Sequence, residues 1–104
     1  KLIGPYSRTN YVDWFAEGQI LPEQVRYFAD ADIVSLIAPR AFAAEAGALD
    51  GAVDQDAAGR ECKRARVHYE KLDIAECCEF IAHAEGHVSA TAQAFDFLGT
   101  HLNV

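Results

Sequence analysis

The sequence contains no methionine, and only three prolines, three cysteines and one tryptophan among 104 residues. No apolar run approaches the roughly 20 residues that cross a bilayer. No basic segment followed by an apolar run opens the chain, so no signal peptide is visible in these residues. Basic side chains are scarce: nine Lys and Arg stand against sixteen Asp and Glu, giving a formal charge of −7. That balance argues against a nucleic-acid partner, because phosphate binding wants an excess of Lys and Arg. It argues equally against an anionic membrane surface. Cys62, Cys77 and Cys78 make an odd set, not a paired disulfide framework. All three read as reduced, mostly buried thiols, since free cysteine behaves as a small hydrophobe. Reduced thiols favour a reducing compartment such as the cytoplasm, although they do not fix the localisation. The His83 and His87 spacing, taken with the cysteines and His68, matches no common zinc pattern, so no metal is expected.

The last absence is chemical. No serine lies in a G-x-S-x-G turn, and Ser7, Ser35 and Ser89 read as caps and surface hydroxyls. Neither Cys77 nor Cys78 reads as a nucleophile, because a mid-strand position is not an accessible, electropositive one.

What remains is organised. A chain of this length is one domain at most and can bury a core. The hydrophobic fraction is 51%, much of it alanine. Residues 1–24 read as an irregular lead-in, with Gly4, Pro5, Gly18 and Pro22 interrupting it and Tyr11, Trp14 and Phe15 in need of a surface. Asp30 or Asp32 can cap a short helix running to Leu36, which Pro39 ends. AFAAEA at 41–46 is alanine-rich, but its flanking Pro39 and Gly47 and its short length favour a buried strand. Gln55–Leu72 is the clearest helix, with Ala58, Cys62, Ala65, Tyr69 and Leu72 on one stripe and Glu61 able to pair with Arg64. CCEFIA at 77–82 is a second strand, with Phe80 and Ala82 on one face and Glu79 and Ile81 on the other. Ser89 can cap a last helix whose stripe is Ala92, Phe95, Leu98 and Leu102.

Strands separated by a long helix imply a parallel crossover and an α/β class. Two parallel strands make a poor sheet by themselves, because such strands want neighbours on both sides. Residues 1–104 are therefore expected to form a single partial domain.

Chemistry in parallel sheets gathers beyond the carboxyl ends of the strands. Asp50 follows the first strand and His87 the second, and neighbouring parallel strands bring both loops to one end. A carboxylate on Nδ1–H fixes an imidazole's tautomer and leaves Nε2 free to take a proton. Asp-Gly is also a common turn pair, and Asp54 and Asp56 lie close by; Asp50 ranks first as the acid and Asp54 second. Gly86 lets the chain turn sharply ahead of His87, and the carboxylate of Glu85 lies near it.

At these residues the chain resembles the C-terminal portion of the α/β-hydrolase superfamily, in its acetylxylan-esterase-like and dienelactone-hydrolase-like branch. Leu36-Ile37-Ala38-Pro39-Arg40 is the most specific match. Asn10-Tyr11, Arg26-Tyr27-Phe28, Asp32-Ile33, Glu45 through Asp50, Val67 through Leu72, Gly86-His87 and Ala94 through Leu98 extend it over nearly the whole chain. The acid loop departs from that pattern, with Gly51-Ala52-Val53-Asp54 in place of proline and bulky apolar residues. The resemblance implies Asp50 as triad acid and His87 as triad base of a serine ester hydrolase acting on a small-molecule or carbohydrate ester. It implies no cofactor, and it implies that these residues alone, lacking the nucleophile, are inactive. The alternative expectation is a non-catalytic α/β interaction module that self-associates as a homo-oligomer through an open sheet edge.

Overall fold

The computed structural model describes residues 30–51 and 53–102. The 1–24 lead-in, the aromatics Tyr11, Trp14 and Phe15, and the Asn10-Tyr11 and Arg26-Tyr27-Phe28 segments lie outside the described residues. The element order is α1 (Asp30–Ser35), β1 (Phe42–Gly47), α2 (Gln55–Lys71), a 3-10 turn (Ala75–Cys77), β2 (Cys78–His83) and α3 (Thr91–Leu102). This is a small α/β unit whose sheet has two parallel strands, with Phe42 opposite Cys78 and Gly47 opposite His83.

Both strands begin and end one residue later than the sequence pattern predicts. At the first, the carboxyl end extends through Gly47. At the second, Cys77 is taken up by the 3-10 turn, and pairing starts only at Cys78. The alternation along β2 falls as expected, with Phe80 and Ile81 on opposite faces and Ile81 buried.

The long helix holds its sequence-derived span to within one residue. Ala58, Cys62, Ala65 and Tyr69 are buried at three- and four-residue steps. Asp54 is its N-cap, and its carboxylate accepts from the Asp56 amide at 3.0 Å. At the other end Asp73 adopts φ 59°, the left-handed geometry usual for glycine. The Asp73 amide donates to the Glu70 carbonyl and the Ile74 amide to the Tyr69 carbonyl, both at 3.0 Å. This closing turn satisfies two terminal carbonyls of the helix and leaves Leu72 at the cap, exposed rather than on the buried stripe.

One face of the sheet carries α1 and α2. Ala31, Val34, Ala44, Cys62, Ala65, Tyr69 and Cys78 form one apolar cluster there, with Phe42 and Phe80 against its rim. Glu61 joins the two helices: one carboxylate oxygen accepts from the Ala31 amide at 2.9 Å, and the other meets Arg64 at 2.7 Å. Tyr69 is fully buried, and its hydroxyl donates to the Arg40 carbonyl at 2.9 Å, tying α2 to the chain that enters β1.

On α3 the expected stripe is wrong. Phe95, Leu98 and Leu102 are exposed, and Phe97 is the buried residue of the helix. The helix starts at Thr91, so Ser89 is not in position to cap it. The Ser89 hydroxyl and the Ala90 amide instead donate to the carboxylate of Glu45 on β1, at 3.3 and 3.0 Å. A charge on the strand thus holds the start of the helix.

Candidate functional site

The loops leaving β1 and β2 are bound to each other before either side chain is considered. The Ala48 amide donates to the His83 carbonyl at 2.8 Å, and the Leu49 amide donates to the Glu85 carbonyl at 3.0 Å. Gln55, the first residue of α2, adds a clamp from below. Its side-chain amide donates to the Ala46 carbonyl at 3.0 Å and to the His83 carbonyl at 2.9 Å, so one group grips the carboxyl ends of both strands. The Asp50 amide folds back onto the Gly47 carbonyl and the Val88 amide onto the Gly86 carbonyl.

On this scaffold Asp50 and His87 meet. Asp50 Oδ2 lies 2.6 Å from His87 Nδ1, across 37 residues of sequence. That distance is in the range of a charge-assisted hydrogen bond. The two side chains differ sharply in exposure: Asp50 is 5% exposed and His87 is 66% exposed. An ionised carboxylate only accepts, so the ring donates from Nδ1 and its free lone pair is at Nε2. Nε2 has no hydrogen-bond partner among the described residues. The pair borders an open groove of about 690 Å³ that follows β1 from Ala41 to Gly47, with Val53, Ile81, Val88 and Phe97 among its walls.

The other sequence candidates have different employments. Asp54 points its carboxylate into the α2 cap. Glu85 donates its amide to His83 Nδ1 at 3.2 Å and contributes its carbonyl to the loop clamp. His83 closes β2, with its ring beside Gly47. Among the described residues no three His, Cys, Asp or Glu side chains gather as a metal site.

Two positioning residues escaped the sequence reading. Gln55 carries no signal of its own, because its double contact exists only once the strands lie side by side. Gly47 does carry one, since a glycine in a strand often marks a close backbone approach. A Cβ at Gly47 would lie 2.2 Å from the Glu85 carbonyl oxygen, 2.3 Å from that of Gly86 and 2.8 Å from His83 Cε1. The two nearest atoms are backbone and cannot swing aside. Gly47→Ala is therefore expected to displace the histidine loop and to cost about 1–3 kcal/mol of stability. Chemical denaturation measures the cost, and loss of the Asp50–His87 hydrogen-bonded proton in the NMR spectrum reports the displacement. Unchanged values on both counts would show that the loops are not packed this tightly.

Comparisons with models of protein families, with curated proteins and with solved structures found no match to this chain.

Proposed function

We propose that this chain is the C-terminal part of a serine-dependent ester hydrolase of the α/β-hydrolase type, in which Asp50 and His87 are the acid and base of the triad. The observation that carries the reading is the 2.6 Å contact between Asp50 Oδ2 and His87 Nδ1 at the carboxyl ends of two parallel strands. In the whole enzyme a serine supplied by an upstream segment loses its proton to His87 Nε2 as it attacks the ester carbonyl. Asp50 keeps Nδ1 protonated and stabilises the imidazolium that forms. His87 then returns the proton to the leaving alcohol, and water completes hydrolysis of the acyl-enzyme through the same base. Neither step calls on a metal or an organic cofactor. The substrate is a small-molecule or carbohydrate ester.

The test compares this chain with the longer natural protein that contains it, using p-nitrophenyl acetate. The longer protein is expected to hydrolyse the ester and to be labelled by a fluorophosphonate at a serine upstream of Lys1. The 104-residue chain is expected to do neither. Turnover by this chain alone, or a longer protein with no fluorophosphonate-reactive serine, would end the proposal.

A second reading rests on the outer edge of β1. Among the described residues β1 pairs only with β2, and the groove runs along that edge for its full length. Unpaired strand groups are a template for another strand, so an interaction module would dimerise there. Light scattering separates the two: a concentration-independent monomer excludes the self-associating module.

A further inference from the structure

His87 has little packing to hold it. Its side chain is 66% exposed, and it lies in a run of bends between β2 and α3, outside any helix or strand. A proton carrier must be kept within about 0.5 Å of its productive place, so the loop itself has to be tied. The ties come from one short segment, residues 45–50. Ahead of the histidine, the Leu49 amide donates to the Glu85 carbonyl at 3.0 Å. At the histidine, Asp50 Oδ2 meets Nδ1 at 2.6 Å. Beyond it, Glu45 Oε2 accepts from the Ser89 hydroxyl at 3.3 Å and from the Ala90 amide at 3.0 Å.

The three ties differ in kind. The first joins main chain to main chain and does not depend on a side chain. The third rests on a single carboxylate. The Val88 amide closes a local turn onto the Gly86 carbonyl at 2.9 Å, which shapes the loop but does not bind it to β1. Ala90 is 8% exposed, and a buried amide needs an acceptor. Its carbonyl in turn accepts from the Ala94 amide at 2.9 Å, at the start of α3. Glu45 therefore holds the point where the histidine loop passes into a rigid helix. Its side chain lines the same groove that Asp50 and His87 border.

We infer that Glu45 is a positioning residue for His87: its carboxylate pins the chain just past the histidine to β1, the strand that also delivers Asp50. Acid and imidazole then share one frame, and the exposed ring is held from both sides of its loop. The hydrogen bonds of Glu45 end at Ser89 and Ala90, so it acts on the ring through the backbone. The catalytic meaning of this role rests on the hydrolase reading; the positioning itself does not.

The experiment uses the full chain, with no ester and no nucleophile, and reads the neutral His87 ring by nitrogen-15 spectroscopy. The wild type is expected to hold one tautomer, protonated at Nδ1. Glu45→Ala should turn it into a mixture while the buried Tyr69 keeps its core signals. Should that variant fail to fold, Glu45→Asp keeps the test decisive. It retains the charge but draws the carboxylate back by one carbon–carbon bond, and should give the same mixture. Glu45→Gln should restore the single tautomer, because its side-chain oxygen still accepts from the Ala90 amide. In the longer natural protein, Glu45→Ala should lower kcat for p-nitrophenyl acetate about 10²-fold with KM little changed, and Glu45→Gln should recover most of the loss. A single Nδ1-protonated tautomer in folded Glu45→Ala or Glu45→Asp, a mixture already in the wild type, or no rescue by Glu45→Gln would overturn the inference. A longer protein without esterase activity would end the hydrolase reading and leave the spectra to decide the positioning.

Discussion

If the proposed hydrolase reading holds, His87→Ala in the whole enzyme is expected to lower ester turnover on the order of 10⁶-fold, and Asp50→Asn by about 10⁴-fold. The difference follows from what each side chain does. In the proposed relay His87 carries the proton, so its loss removes both the general base and the general acid. Asp50 acts through the ring. Its carboxylate can only accept from Nδ1, which places the free lone pair at Nε2. An asparagine there can donate an amide hydrogen to Nδ1, and the ring then carries its proton at Nε2, the wrong place to receive one. KM should change little in either variant, because neither side chain binds the ester in the ground state.

The tautomer half of this prediction needs no nucleophile and can be read on the present chain. Nitrogen-15 spectra of His87 in the neutral form should show Nδ1 protonated and Nε2 bare in the wild type. Asp50→Asn should reverse that assignment. Asp54→Asn serves as the control, because that carboxylate caps α2 and does not touch the ring. A His87 ring that is a free mixture of tautomers in the wild type would mean that the 2.6 Å contact does not organise it.

The largest stability loss is expected from Tyr69→Ala, at about 3–5 kcal/mol. Tyr69 is a large side chain with no exposure, at the centre of the cluster that α1, α2 and the sheet share. Truncation leaves a cavity among Ala31, Ala44 and Ala65, residues too small to fill it. It also strands the Arg40 carbonyl, whose partner is the phenol. A single domain is stable by only about 5–15 kcal/mol, so the variant should lose about a fifth or more of its stability in urea denaturation.

Tyr69→Phe separates the polar part, about 1 kcal/mol. The hydroxyl also gives stability an alkaline limit. Burial pushes the phenol above its ordinary value of 10.0, with the nearby thiols adding to the shift. The folded state therefore holds the proton after the unfolded chain has begun to lose it. This contribution is complete below pH 10 and declines as the pH rises past it. The decline should be shallower in Tyr69→Phe. Equal slopes in the two proteins would show that Tyr69 does not set the limit.

Some features were legible along the chain because they depend on local spacing. The α2 stripe is one: Ala58, Cys62, Ala65 and Tyr69 recur at the helical period, and a helix of that length buries whichever stripe is apolar. The alternation along β2 is another, since successive side chains of any strand point to opposite faces. The α3 stripe failed for a reason of the opposite kind. Phe95, Leu98 and Leu102 form a good apolar period, yet they are exposed and Phe97 is buried, on a helix whose preceding residues are held by Glu45. A carboxylate 45 residues away has no representation in a local period.

The sequence by itself determined an α/β alternation, the long helix, and an acid and a histidine each set just beyond a strand. It could name Asp50 and His87 as candidates because chain order and parallel pairing put both loops at one end of a sheet. Only the tertiary structure decided that the carboxylate is Asp50 and not Asp54, that Gln55 clamps both strand ends, and that Gly47 must lack a side chain. The physical reason is that the Asp50–His87 and Gln55 contacts, at 2.6–3.0 Å, and the close approach at Gly47 exist only between residues brought together by strand pairing. Periodicity and propensity fix what an element is; hydrogen bonds and backbone contacts across elements fix which atoms meet.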